Sequence, residues 1–578
     1  MQLHLKILLM AALAALGACA SSSPGGLRFG SFDDRPQEAA NYRDFMIARI
    51  ASMTNDPGMA AQRYAAVIDA MPERASIAER AVFSALLAGD YPAAASLAAR
   101  AEDAGSEASL VRLTRATDLI IRGQGQKAVP LLEESAFRPF NRNIARHILA
   151  WQALSRGGLE TAEAYVAEGL TGDTGYDSPS LYMLGLMRMS AGQDERALEV
   201  FDAVWRSGAR LAIGVEAHAS LLAARGDREA ASALIGEFLR EVGANAGISA
   251  LGARIEAGET IRPRRLTTRQ GAALSLYVPA AALLYQTDDD LSAVYFTLIA
   301  ALDPDLHVAR TLWGQALAAA ERYDDAIRIL DSVPAASPYR ANARGQLAGV
   351  LHRAGRSDEA LRVAGEALAG NPDRGLRLQL ADLYIAQARY ADGEAVLDEI
   401  IREDAAEGET DWRVIFARGA ARERQGNWPE AEADLLTALE LRPQNATILN
   451  YLGYSWIDRG LNLDEGFELI RRAVILEPTS GHIVDSLGWA HYKLGEYEDA
   501  VDYLERAVEL LPSDPILNDH LGDAYWRVGR RLEAGFQWRR ALTLDPAEAD
   551  REKIEIKLGS TLGPDAPELR ALEASLAE

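Results

Sequence analysis

The chain has 578 residues, too many for one compact core, so it folds as several domains or as an extended repeat array. Eighty-four acidic against sixty basic residues leave a formal net charge of −24, which sets the surface as a whole against phosphate backbones and anionic headgroups and excludes broad nucleic-acid binding. A single cysteine, Cys19, excludes an internal disulfide and a thiolate-pair zinc site.

The amino terminus reads as an address rather than as part of the fold. Lys6 and the free amine make a weak positive region, and residues 7–16 form an uncharged run of about ten residues, too short to span a bilayer and right for a signal-peptide core. Leu16-Gly17-Ala18-Cys19 follows, then Ala20 and three serines. These residues resemble the lipobox of bacterial lipoproteins. The resemblance implies a signal peptide at 1–18, a diacylglyceryl group on the Cys19 thiol, cleavage before it and an acylated new amine. Several acyl chains hold a membrane far more firmly than one. Ala20 stands where an inner-membrane retention signal would resemble an aspartate, so the resemblance implies the periplasmic face of the outer membrane. The alternative is an ordinary secretory signal with Cys19 incidental. Residues 19–40 then read as lipidated cysteine and flexible tether, serine- and glycine-rich at 21–26, with helix expected from near Asn41.

Downstream, the chain is periodic. Pro443, Pro478, Pro512 and Pro546 are 35, 34 and 34 residues apart, and each follows an alanine by five: Ala438, Ala473, Ala507 and Ala541. Gly426, Gly460, Gly495 and Gly529 occupy one upstream position in each unit. The unit Leu487-Gly488-Trp489-Ala490-His491-Tyr492, Gly495-Glu496-Tyr497, Ala500, Leu504, Ala507 and Pro512 resembles the tetratricopeptide repeat. Small residues let two helices of a unit touch, the glycine suits a left-handed helix cap, and proline stops the second helix. The same register runs upstream through Asn55, Gly89, Gly123, Gly157, Gly192 and Gly226, and again through Asp288, Glu321, Gly355 and Ala388.

One unit is defective: Ile261-Arg262-Pro263-Arg264-Arg265 stands where its second helix should start. The expected organisation is an N-terminal array at 41–255, an irregular unit or bend at 256–287, a C-terminal array at 288–546 and capping helices at 547–578, with up to fifteen helix pairs. A polar insertion at 402–411 lengthens one unit. Whether the array is one superhelix or two lobes stays open. The fold class is all-α, a tetratricopeptide-repeat superhelical solenoid of antiparallel helix pairs.

No catalytic, cofactor or metal signature accompanies this pattern, and the expectation is a non-enzyme. The eight histidines lack ligand spacing, Asp288-Asp289-Asp290 lacks the spaced ligands of a calcium loop, and Gly123-Gln124-Gly125-Gln126-Lys127 lacks a preceding strand and a Gly-Lys-Ser/Thr ending. Repeat arrays of this kind present their first helices to partners. Counting from each helix glycine places Asn450 and Tyr454, then Asp485, Trp489 and Tyr492, then Asp519, Asp523 and Trp526 on that face. Aromatic and acidic groups alternate there, suited to an extended segment that is basic or carries a free amine.

The lipobox, tether and repeats together resemble the lipoprotein adaptors of periplasmic carboxyl-terminal processing proteases, most closely from Leu449-Asn450-Tyr451-Leu452-Gly453-Tyr454 to Gly522-Asp523-Ala524-Tyr525-Trp526. The resemblance implies a protein-binding scaffold that recruits such a protease and its cell-wall-hydrolase substrates. Related lipoproteins that assist outer-membrane, secretion or polysaccharide-export assembly are the alternative.

Overall fold

The computed structural model describes residues 36–572 except 134–136, 138, 285–288, 371–373, 568 and 570. Cys19, the signal segment, most of the tether and Asp288 lie outside the described residues. Among the described residues there are thirty α-helices, one 3-10 turn at Gly563–Asp565 and no strand. Among the described residues helix is present from Pro36, earlier than the expected start near Asn41.

The helices follow one another in pairs because each unit repeats the same local instructions. Gly426, Gly460, Gly495 and Gly529 all have left-handed φ values, between 69° and 84°, and turn the chain from the first helix of a unit to the second. Within units the two helices meet at small residues. A Cβ on Gly453 would lie 2.7 Å from the Gly466 carbonyl oxygen, and one on Gly488 would lie 2.7 Å from the buried Leu504 side chain. Successive units are tied along their second helices: Arg472, Arg506 and Arg540 donate to the carbonyl oxygens of Pro443, Pro478 and Pro512 in the unit before.

Where the register lacks glycine, the backbone takes the same turn regardless. Asn55, Glu321 and Ala388 have φ of 58°, 58° and 57°. A Cβ in that region costs about 1 kcal/mol, only partly offset by the lower chain entropy of a non-glycine residue. Ala388 is exposed, so no packing is lost on truncation. Ala388→Gly is expected to raise stability by about 0.5 kcal/mol, read as a higher urea midpoint; a lower midpoint would contradict the cap.

The chain forms two compact units, one running to Asp325 and the other starting at Ala326. The irregular stretch expected at 256–287 therefore contains a local defect but not the boundary. Helix Ala246–Glu256 is unpaired, and residues 259–267 run without helix to the N-cap Thr267, so among the described residues fourteen pairs form where up to fifteen were expected. The next pair, Thr268–Leu283 and Asp289–Leu302, is a hairpin that packs on the first array instead of beginning the second. Helix Thr268–Leu283 lies on Pro139–Leu154, and helix Asp289–Leu302 lies on Ala75–Leu87 and Ser109–Ile121. Gly271 sits against the buried Trp151 ring. Thr297 Oγ1 donates to the Leu86 carbonyl oxygen at 2.7 Å, and the Leu266 N–H donates to Ser190 Oγ at 3.0 Å. Arg265 pairs with Asp194, its Nη2 at 2.8 Å from Oδ2.

The second unit packs its pairs around successive apolar clusters. Leu449, Leu452, Ile470, Ala473, Val484, Leu487 and Ala507 fill its centre, and Leu504, Leu521, Ala534, Trp538 and Ile554 fill its C-terminal end. Helix Glu548–Gly559 closes that end through Ile554 and Leu558, as a solenoid requires of its last face.

Candidate partner-binding groove

Helices Trp412–Arg424, Ala446–Arg459, Gly481–Leu494 and Pro515–Arg527 are the first helices of their units. Their inner packing is supplied largely by Val, Leu, Ile and small residues, and polar and aromatic residues form a row beside it. A cavity of about 530 Å³ runs along this row, lined by Tyr451, Tyr454, Asp485 and His520, with Asn450 and Asp458 among the others. Of the residues expected on this face, the structure brings Asn450, Tyr454 and Asp485 to the cavity wall.

Trp489 and Tyr492 continue the row as a stack rather than as separate anchors. Their rings lie 4.7 Å apart with planes 5° from parallel, and His520 stacks on the other partner, Trp489, at 4.0 Å and 16°. His520 Nδ1 donates to Asp485 Oδ2 at 2.9 Å. Burial works against a charged imidazole, but the carboxylate of Asp485, with Asp519 and Asp523 behind it, raises the His520 pKa above its ordinary value. Arg527 donates to the Tyr492 hydroxyl at 3.1 Å. Burial, reinforced by Asp523, pushes the Tyr492 phenol up to about 12.

Two polar groups on this row lack a hydrogen-bond partner among the described residues: the buried Asn450 Oδ1, an acceptor, and the buried Trp489 Nε1, a donor. Buried polar atoms are ordinarily satisfied. Asn450 lines the cavity, and Trp489 meets it through its stack on His520.

Asp519, Asp523 and Trp526 are not open to a partner, which corrects the expectation that they line a free groove. The C-terminal tail lies over them. Lys557 Nζ donates to Asp519 Oδ2 and Asp523 Oδ2, both at 2.8 Å, and all three residues are buried. Asp523 Oδ1 also accepts from Trp538 Nε1 at 3.0 Å. Burial raises the Asp523 carboxyl to about 6 against the pull of Lys557, whose own pKa the two carboxylates hold above its ordinary value. Gly563 packs against the Trp526 ring, and Asp565 takes both Arg527 guanidinium nitrogens at 2.7 and 3.0 Å. The acidity read from the sequence is therefore spent within the chain: Asp485 on His520, and Asp519 and Asp523 on Lys557.

His520 and Lys557 are the members of the site that the motif reading missed. A usable signal exists for the first. Asp458 with Lys493, Asp485 with His520, and Tyr492 with Arg527 are each 35 residues apart, one repeat for the first pair and one repeat plus one residue for the other two, which makes them neighbours on adjoining first helices.

Three stretches match family models described as tetratricopeptide repeat: residues 317–375, 416–481 and 486–514. A TPR repeat-containing protein of Pseudomonas aeruginosa is 31% identical over 186 residues, which is 32% of this chain and 31% of that protein, so the chain spans about a third of the relative's length. Among solved structures, a tetratricopeptide repeat protein from Parabacteroides merdae gives a TM-score of 0.38 at 15% identity over 43% of this chain and 96% of its own. The APC/C hetero-tetramer Cut9-Hcn1 gives 0.36 at 16% identity over 89% of this chain and 95% of that one. The chain is an all-α solenoid of antiparallel helix pairs that carries tetratricopeptide repeats, a repeat class whose general role is protein–protein binding.

Proposed function

We propose that the protein is a non-catalytic scaffold whose second unit holds an extended segment of a partner along Asn450, Tyr454, Asp485 and Trp489. The observation that supports this is the cavity of about 530 Å³ lined by Asn450, whose buried Oδ1 lacks a partner among the described residues, and by His520, on which Trp489 stacks. The stacked Trp489, His520 and Tyr492 rings give a rigid apolar floor, the kind of surface that concentrates binding energy in few residues.

The finer reading is an envelope adaptor, lipid-anchored through Cys19 on the periplasmic face of the outer membrane, that recruits a carboxyl-terminal processing protease together with cell-wall-hydrolase substrates. Its support is the Leu16-Gly17-Ala18-Cys19 motif and the likeness of residues 449–526 to adaptors of that kind. Affinity capture from solubilised envelopes tests it, comparing the native chain with the double variant Asn450→Ala, Trp489→Ala. The native chain should recover a processing protease, and the variant should lose it by about tenfold or more, as expected for a hot-spot aromatic. Recovery of a secretin or a polysaccharide-export assembly instead would remove the adaptor reading. Undiminished capture by the variant would remove the groove.

A further inference from the structure

The second helix of the last repeat, Arg531–Thr543, differs from its two immediate predecessors at two outward positions. Its inner face follows the rule, with Ala534, Trp538 and Ala541 buried. Outward, the repeat register aligns Leu532 with Glu498 and Asp464, and Phe536 with Asp502 and Glu468. All four acidic residues are exposed, as solvated positions of a second helix should be. At the end of the array the same two positions carry leucine and phenylalanine, 80% and 69% exposed. They stand one helical turn apart on one face.

The flanking charge reverses as well. Arg531 and Arg539 are exposed on either side of the pair. The Arg539 guanidinium lies 5.3 Å over the Phe536 ring, and that of Arg531 lies 5.0 Å over Trp526. The helix has one carboxylate, Glu533, already paired with Arg530 at 3.2 Å. Gly563, next to the half-exposed Leu562, packs on the same Trp526. A chain of net charge −24 thus ends its array on a small cationic face with two protruding apolar side chains.

We propose that this face, Leu532 and Phe536 flanked by Arg531 and Arg539, docks on an anionic lipid surface. Protruding apolar side chains enter the acyl boundary while the guanidinium groups stay with the headgroup phosphates. The anionic surface is favoured over a protein pocket because Arg531 and Arg539 stand exposed beside the pair while the helix's one carboxylate, Glu533, is paired with Arg530, leaving an excess of positive charge opposite to that of the chain as a whole. The contact is independent of any acyl group on Cys19 and of the groove.

The test uses the chain from Ala20, which keeps every described residue and lacks Cys19. It is sedimented with vesicles of phosphatidylglycerol and phosphatidylethanolamine, and with vesicles of phosphatidylcholine alone. Binding is expected to the anionic vesicles, weakening as salt rises. The double variant Leu532→Glu, Phe536→Asp restores the character of the preceding repeats at two exposed positions; it should keep the native circular dichroism and lose vesicle binding by about tenfold or more. Arg531→Gln with Arg539→Gln should weaken binding to anionic vesicles only. Absence of vesicle binding overturns the proposal, as does equal binding by the Leu532→Glu, Phe536→Asp variant. Self-association abolished by that variant, without vesicle binding, would assign the face to a second copy of the chain instead.

Discussion

Lys557→Met is expected to destabilise the C-terminal end of the second unit by about 3–5 kcal/mol, because it leaves Asp519 and Asp523 buried without a counter-ion. Methionine keeps most of the apolar stem of the lysine, so the loss reports charge rather than packing. The cost should depend on pH with a definite sign. Burial raises Asp523 to about 6 in the folded chain, above the value of about 3.9 for an unfolded aspartate. A carboxyl with a raised folded pKa favours folding on its acid side, and that contribution is lost as pH rises through the folded value. Removing Lys557 raises the folded value further. The variant should therefore recover stability between about pH 7 and pH 5, while the native chain, with its ammonium in place, changes less. His520 carries the same sign in both proteins and cancels in the comparison. Urea midpoints at the two pH values, with hydrogen exchange of helix Pro515–Arg527, decide the matter. An equal loss at both would mean that the carboxylates do not carry the cost.

The same cluster shows why part of the site was legible in the sequence and part was not. A period of 34 residues, a glycine at each turn and a proline after each second helix determine which residues share a position on the first helices, and Asn450, Tyr454 and Asp485 line one cavity. Counting says nothing about what covers a face. The tail after Pro546 has no repeat register, so nothing local to Asp519 or Asp523 announces that Lys557, 38 and 34 residues later, lies between them. Long-range ion pairs of this kind depend on where a non-repeating segment comes to rest.

A similar limit applies to the hairpin 268–302, yet here a signal was present. Helix Asp289–Leu302 reads Asp-Asp-Leu-Ser-Ala-Val-Tyr-Phe-Thr-Leu-Ile-Ala-Ala-Leu, apolar on every side after its first turn. A helix without a polar face is buried on all sides, and Ala293, Val294, Tyr295, Phe296, Leu298, Ile299 and Leu302 are each at most 2% exposed. A second helix of an ordinary repeat keeps an outer face, as Tyr497–Leu510 does. The excess apolar surface of Asp289–Leu302 therefore calls for an additional covering layer, which the first array provides.

Trp151 and Gly271 measure how firmly that layer is seated. Trp151 is 1% exposed, and Trp151→Ala is expected to cost about 3–5 kcal/mol. In an isolated helix Gly271→Ala would be favourable by about 1 kcal/mol on propensity alone. Here the new Cβ would lie 2.0 Å from the Trp151 ring, so overpacking should outweigh propensity and destabilise by about 1–3 kcal/mol. Once Trp151 is alanine, the space opens and Gly271→Ala should become neutral or favourable. The double-mutant cycle should accordingly show a coupling of about 2 kcal/mol or more, where distant sites add to within about 0.5 kcal/mol. Proteolysis within residues 259–302 supplies an independent reading, since an unseated hairpin presents its connecting segment to cleavage. Additive costs with an unchanged cleavage pattern would mean that the hairpin does not depend on this contact. A strong coupling would have a consequence for binding. The first helices Ala75–Leu87, Ser109–Ile121 and Pro139–Leu154 are then covered by the chain's own hairpin and closed to a partner on that side.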